Sequence, residues 1–270
     1  MKYTMIGLVA AGVWYSASAS HAPARASADA PKQQQQDHWN WSGRLAAGKT
    51  ISIDGINGDI SAEPATGNEV IVTAEKHGRR SDPSDVRIVV AEYDGGVRIC
   101  AIYPSSREGR CDADGSHNNN IRNNDVQVDF TVKVPRGVHF EGQTVNGDVE
   151  ATNLDGNVDI TTVNGGAQLE TSGGEAHAET VNGSVNATVR AIGSHNMKFQ
   201  TVNGGITVTL PAGLSADLDA ETVNGSITSD FPVSVQGRLS PRHLQGRIGQ
   251  GGRQLDMETV NGSIRIRQVP

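Results

Sequence analysis

The sequence predicts an all-β protein: a β-solenoid (β-helix-like) of about 18-residue coils, each built from two nine-residue strand-turn units, preceded by a less regular β region. Three observations carry this. The tetrapeptide Thr-Val-Asn-Gly occurs at 144–147, 162–165, 180–183, 201–204, 222–225 and 259–262, at spacings of 18, 18, 21, 21 and 37 residues. A finer period of nine runs through Gly147, Gly156, Gly165, Gly174 and Gly183. Past each glycine, apolar residues alternate with polar ones, as in Val149-Glu150-Ala151 and Val158-Asp159-Ile160. Such alternation is a strand with one buried face.

Asn-Gly between alternating strands also suits hairpins, so a meander or sandwich is the alternative. A meander has no reason to repeat one turn sequence at every second position, whereas a coil stacks like turns on like turns. On the coil reading the turn residues are Asn146-Gly147, Asn164-Gly165, Asn182-Gly183, Asn203-Gly204, Asn224-Gly225 and Asn261-Gly262. Their asparagines can form an amide ladder, the signature valines stack inward, and each signature glycine is expected at positive φ. The 37-residue gap predicts about two units holding a copy that has lost its signature. At about 4.8 Å per strand, about seven coils give a rod about 34 Å long.

Taken in order, residues 1–19 read as an export signal. Lys2 supplies the charge, Met5 to Tyr15 the apolar stretch and Ala17-Ser18-Ala19 the cleavage site, with Ala26-Ser27-Ala28 a weaker candidate. The stretch is too short to span a bilayer, and no later segment is apolar enough to do so. No cysteine follows it for lipid attachment. Residues 20–42, with Gln33 to Gln36, read as a flexible linker. Trp39 and Trp41 stand on alternate positions. They suit a first strand or cap closing the core, or an exposed platform for a sugar.

Residues 43–142 form the less regular β region. Short strands are expected at 50–54, 59–62 and 69–74, with Ile56-Asn57-Gly58 an early echo of the signature. Residues 86–93 and 97–103 flank Asp94-Gly95-Gly96 as a hairpin, and 126–134 alternates cleanly until Pro135-Arg136-Gly137. Cys100 and Cys111, the two cysteines of the chain, are predicted to pair in an exported protein. Closing so short a loop contributes about 2–3 kcal/mol. The solenoid proper is placed at 143–270. Composition agrees: aromatics are 4%, glycines number 32 of 270, and the net charge of −7 disfavours nucleic acid as a partner.

The strings Gln143-Thr144-Val145-Asn146-Gly147-Asp148-Val149, Glu-Thr-Val-Asn-Gly-Ser at 179–184, 221–226 and 258–263, and Val132-Lys133-Val134-Pro135 carry a resemblance. Over about residues 43–270 the chain resembles a bacterial adhesin-type family of unknown function with β-strand repeats. That resemblance implies an exported, solenoid-like domain with a surface or envelope role, and brings no catalytic residue set with it.

Chemistry is sparse. The eight histidines (21, 38, 77, 117, 139, 177, 195 and 243) are scattered without metal-ligand spacing, and no Gly-x-Ser-x-Gly or His-Glu-x-x-His occurs. Outward columns such as Glu150, Gln168, Asn186 or Asp159, His177 change chemistry at each step, unlike the clustered carboxylates of a lyase-type β-helix. Asp112-Ala113-Asp114-Gly115 is a calcium-loop fragment lacking its other ligands, and a single threonine column does not make an ice-binding face. No cofactor is expected. The expectation is a non-enzymatic exported protein, periplasmic or at the cell surface, acting as a structural or adhesive module. A carbohydrate-binding or carbohydrate-active β-helix is the competing reading, against which only Phe199 and Phe231 supply aromatic rings after residue 143.

Charge points to one end. From Thr144 to Gly237 there are eleven acidic residues and two basic ones, Arg190 and Lys198. Afterwards Arg238, Arg242, Arg247, Arg253, Arg265 and Arg267 face only Asp256 and Glu258. If the last strand is an exposed terminal edge, its arginines either block edge pairing or dock the protein on an anionic envelope component or a neighbouring copy.

Overall fold

The computed structural model describes residues 35–104, 109–112, 123–191, 195–235 and 240–269. The expected export signal (1–19), the first part of the expected linker (20–34), most of the polar stretch that holds the calcium-loop fragment (113–122) and Arg238 lie outside the described residues. The described residues all fall within one body, Gln34–Pro270.

The alternating sequences become strands throughout. In chain order they are β1 (Gln35–Gly43), β2 (Thr50–Asp54), β3 (Ile60–Pro64), β4 (Val70–Gly78), β5 (Arg87–Tyr93), β6 (Gly96–Ile102) and β7 (Gln127–Val134). The repeats supply β8 (His139–Gln143), β9 (Val149–Leu154), β10 (Val158–Asn164), β11 (Ala167–Thr171), β12 (Ala176–Asn182), β13 (Val185–Val189), β14 (Met197–Asn203) and β15 (Ile206–Leu210). The last part holds β16 (Ala216–Asn224), β17 (Ile227–Ser229), β18 (Val233–Val235), β19 (His243–Ile248), β20 (Arg253–Asn261) and β21 (Ile264–Gln268).

These strands build two sheets. One has the order β1-β4-β7-β3-β9-β11-β13-β15-β21-β17, the other β18-β19-β16-β20-β14-β12-β10-β8-β2-β6-β5. From β8 to β17, consecutive strands fall alternately into the two sheets, and each from β8 to β13 pairs in parallel with the strand two further on. The offset is the sequence period: Val158 pairs with Ala176 and Ala167 with Val185, 18 residues apart, while Ala176 pairs with Met197 and Val185 with Ile206, 21 apart. The signature corner turns the chain from one sheet to the other, as at Gly165-Gly166 between β10 and β11.

The core lies between the sheets. Val149, Ala151, Ile160, Leu169, Ala178, Phe199, Val208, Leu255 and Ile266 are among its buried residues. Small and β-branched side chains suit the narrow gap, and each buried valine or isoleucine contributes about 1.5–3 kcal/mol.

Several expectations change. Residues 35–42, placed in a linker, form most of β1, which pairs antiparallel with β4 from Gln35↔Gly78 to Gly43↔Val70. The linker composition misled because Trp39 and Trp41, which pack against the core, outweigh the glutamines. The less regular region continues into the same two sheets: Thr50 pairs with His139 and Ile60 with Val149. The 37-residue gap holds no degenerate copy. It holds β17 and then β18–β19, which fold back antiparallel so that β19 covers the outer edge of β16. The chain then returns, and β20 and β21 enter between windings already formed by earlier residues: β20 between β14 and β16, β21 between β15 and β17. The last strand of the sequence is therefore an interior strand of its sheet.

Candidate functional site

The signature tetrapeptide builds one continuous spine, and each of its residues has a separate task. Every signature threonine is buried and points inward. Thr162 Oγ1 donates to the Gly147 carbonyl at 2.8 Å, Thr180 to Gly165 at 2.8 Å, Thr201 to Gly183 at 2.8 Å and Thr259 to Gly204 at 2.9 Å. Each hydroxyl thus satisfies a corner carbonyl of the winding beneath it, which the strand ladders leave free. The asparagines form the expected amide ladder, and it is longer than the signature copies alone. Asn146 donates to Asn57, Asn164 to Asn146, Asn182 to Asn164, Asn203 to Asn182, Asn261 to Asn203 and Asn224 to Asn261, all at 2.8–2.9 Å. Asn57, in the echo of the signature, is the first rung, and Tyr103 Oη fixes it by donating to the Asn57 carbonyl at 3.2 Å.

Two details of the expected turn are corrected. The signature valines face outward: Val145, Val202 and Val223 are 37%, 40% and 51% exposed. The strand before the corner sets their face, since Val158, Ile160 and Thr162 already point inward and leave Val163 on the other side. Most signature glycines also lack a positive φ. Gly147 has φ +156°, and Gly165, Gly183, Gly204, Gly225 and Gly262 are not in that region. Glycine is required by close stacking: a Cβ on Gly183 would lie 1.9 Å from the Gly165 carbonyl oxygen, and one on Gly204 1.8 Å from that of Gly183.

The outer face of the β8–β16 sheet carries in-register columns. Registration across β8, β10, β12, β14, β20 and β16 aligns Glu141, Asp159, His177, Lys198, Asp256 and Asp219. A shallow groove of about 470 Å³ lies along this column, with His139 and Glu175 also on its wall. His177 Nδ1 lies 3.0 Å from Asp159 Oδ1. That hydrogen bond raises the imidazole above its ordinary range against the opposing effect of burial. Burial and the neighbouring Asp219 raise Asp256. His177 Nε2 has no hydrogen-bond partner among the described residues, so no nucleophile is engaged by this Asp–His pair. The sequence period places Asp159 beside His177 but not the whole column, because Lys198 and Asp256 join it only through the 21-residue offset and the inserted β20. Among the described residues no group of three or more histidine, cysteine or carboxylate side chains could hold a metal ion.

The remaining predicted sites are dispersed. Cys100 and Cys111 are joined by a disulfide that ties β6 to the segment after it. Trp39 and Trp41 are partly buried against the core, and Phe199 and Phe231 are buried. The arginines do not gather. Arg242 precedes β19 and Arg247 lies on it, where Arg247 Nε is 3.3 Å from Asp217. Arg253 opens β20 and donates to the Ser215 carbonyl at 3.0 Å. Arg265 and Arg267 point outward from β21 in the other sheet, Arg265 between Thr207 on β15 and Thr228 on β17, Arg267 beside Thr209 on β15 and past the last paired residue of β17.

The family described as Toastrack DUF4097 matches residues 31–267. No curated protein matches the chain. Three solved structures are similar. A provisionally named cell adhesion protein from Clostridium sporogenes is 12% identical, covering 87% of this chain and 100% of its own, with a TM-score of 0.48. A provisionally named adhesin from Bacteroides fragilis is 14% identical over 86% of this chain and 97% of its own, with a TM-score of 0.24. Another from Parabacteroides merdae is 8% identical over 86% and 96%, also at 0.24.

Proposed function

The chain belongs to the Toastrack DUF4097 family, and from that membership we propose that it is a non-enzymatic protein of the cell envelope or surface. In it a β-solenoid of about 18-residue coils serves as a structural or adhesive module. The observation that carries this reading is the uninterrupted spine from Asn57 through Asn146, Asn164, Asn182, Asn203 and Asn261 to Asn224. Such a spine holds the outward columns at strand spacing over many rungs, which is what a rigid spacer or multivalent contact surface requires. The Cys100–Cys111 disulfide supports an oxidising compartment outside the cytoplasm.

The partner we favour is an anionic envelope component, met by Arg265 and Arg267. Arg265 is paired on both sides, with Thr207 on β15 and Thr228 on β17, so protection of a free edge does not account for it. Neither arginine makes an ion pair among the described residues. Arg265 lies between the uncharged Thr207 and Thr228, while Arg267 pairs with Thr209 and follows the end of β17, where Asp230 accepts from Gln268 N at 3.3 Å. The test has two parts. Fractionation of cells making the full chain should find it in the envelope or outside; accumulation in the cytoplasm with free thiols would remove the compartment. Purified protein should bind phosphatidylglycerol-containing vesicles at low salt and not at high salt. Arg265→Glu with Arg267→Glu should weaken that binding at least about tenfold. Equal binding by the double variant would discard the arginine contact while leaving the solenoid module standing.

A further inference from the structure

We infer that the C-terminal winding, β20 with β21, exchanges between two copies of this chain and joins them as an intertwined dimer. This goes beyond the envelope role and does not depend on it. The starting point is the strand order. Residues 253–268 lie between two windings that are neighbours in sequence, β14–β15 on one side and β16–β17 on the other. The slot they occupy is one winding thick and is open to a segment that reaches it late in the chain.

The contacts in the slot belong to the signature rather than to this segment. On one side Thr259 Oγ1 donates to the Gly204 carbonyl and Asn261 to Asn203. On the other, Thr222 Oγ1 donates to the Gly262 carbonyl at 2.8 Å and Asn224 to Asn261. Backbone pairing is in register on both faces, with Thr201, Thr259 and Thr222 aligned. The same winding from a second copy would therefore find every partner it has at home. A chain that merely withdrew it would leave Leu255, Met257, Ile264 and Ile266 in water, all of which are buried in place. Exchange restores that burial in full, and withdrawal does not, so a second copy of the chain is the occupant the slot selects.

The connection supplies the hinge. β19 pairs antiparallel with the outer edge of β16, and β20 pairs in parallel with its inner edge. Gly249, Gln250, Gly251 and Gly252 must therefore cross the start of β16. Gly249 and Gly251 hold φ of +58° and +75°. The turn is fastened by Gly251 N donating to the Ile248 carbonyl at 3.1 Å, Gln250 N to Ser215 Oγ at 3.2 Å and Gly252 N to Asp217 Oδ2 at 3.1 Å. All three bonds can pass to water when the hinge opens, and glycine reaches the extended backbone without a side-chain barrier. A short crossover of this kind is the setting in which strands swap.

The test uses the full chain carrying Thr207→Cys and Arg265→Cys, outward positions paired in register on β15 and β21. The native cysteines are already joined, so the new thiols are the reactive pair. Concentrated protein is held a few degrees below its melting temperature, cooled and separated by size. Each fraction is then treated with a short thiol-to-thiol crosslinker and run on a denaturing gel. The expected result is a dimer fraction whose chains become covalently joined, while the monomer fraction gives internal links only. Deleting Gln250 and Gly251 should raise the dimer share at least about tenfold, since the shortened turn no longer crosses β16 within one chain. The inference is overturned if no dimer forms, if the dimer fraction links only within chains, or if the deletion variant folds and stays monomeric. Should the deletion variant fail to fold, the crosslinking result on the cysteine pair decides alone.

Discussion

At the scale of single residues, Gly165 and Gly166 are adjacent, identical in type and unequal in cost. A Cβ at Gly165 would meet the Gly147 carbonyl oxygen at 2.0 Å, whereas one at Gly166 meets nothing closer than 3.7 Å. Gly165→Ala should therefore lose at least about 2 kcal/mol of stability and Gly166→Ala no more than about 0.5 kcal/mol. Urea denaturation of both variants measures this, and equal midpoints would remove the close-stacking account of the signature. His177 gives a second residue-scale expectation. Asp159 holds its imidazolium more firmly in the folded state than in the unfolded one, and Glu179 adds to this while Lys198 and burial oppose it. Because the folded value lies above the ordinary 6.5, this contribution is complete below that value and is lost as pH rises through the folded one. As pH rises from about 6.5 the wild-type protein should lose stability that His177→Gln does not. Parallel pH profiles for the two proteins would show that the pair carries no linkage.

At the scale of elements, what a strand does depends on its neighbours more than on its pattern. The final strand alternates Ile264, Arg265, Ile266 and Arg267 as expected, with the isoleucines buried and the arginines outward. Its sequence reads the same at an edge or inside a sheet, yet it pairs with β15 along its length and with β17 over Ile264, Arg265 and Ile266. The hairpin β5–β6 around Gly95-Gly96 and the alternating β7 were legible because local turn chemistry and period settle them. Strand β1 was not, since its glutamines carry a linker composition and its pairing with β4 is a contact across tens of residues.

At the scale of the whole body, the division at residue 142 has no counterpart in the sheets. β2 and β3 pair with β8 and β9, so the described strands before residue 142 and the repeat strands share both sheets. Unfolding should accordingly be a single transition. In a Trp14→Phe variant the fluorescence of Trp39 and Trp41 reports one end of the body, while far-ultraviolet circular dichroism reports all strands. The two denaturation curves should coincide within about 0.2 M urea. A fluorescence transition well ahead of the dichroism would mean that β1 and its neighbours unfold as a separate unit.

The sequence by itself determined the all-β class, the two-stage period, the asparagine ladder and the cysteine pair. Each of these follows from short-range rules: alternation, turn residues, a fixed repeat and an oxidised pair eleven residues apart. Tertiary structure alone decided which face the valines take, why glycine is needed at the corners, and where the last winding goes. Those outcomes depend on what lies across a gap of one strand spacing. Thr259 aligns with Thr201 on one side and with Thr222 on the other, because the signature is the same in every copy. A repeat specifies that windings stack and leaves their order open. That order is set by the path of the connecting chain, here a fold-back through β18 and β19 that brings β20 to the inner edge of β16.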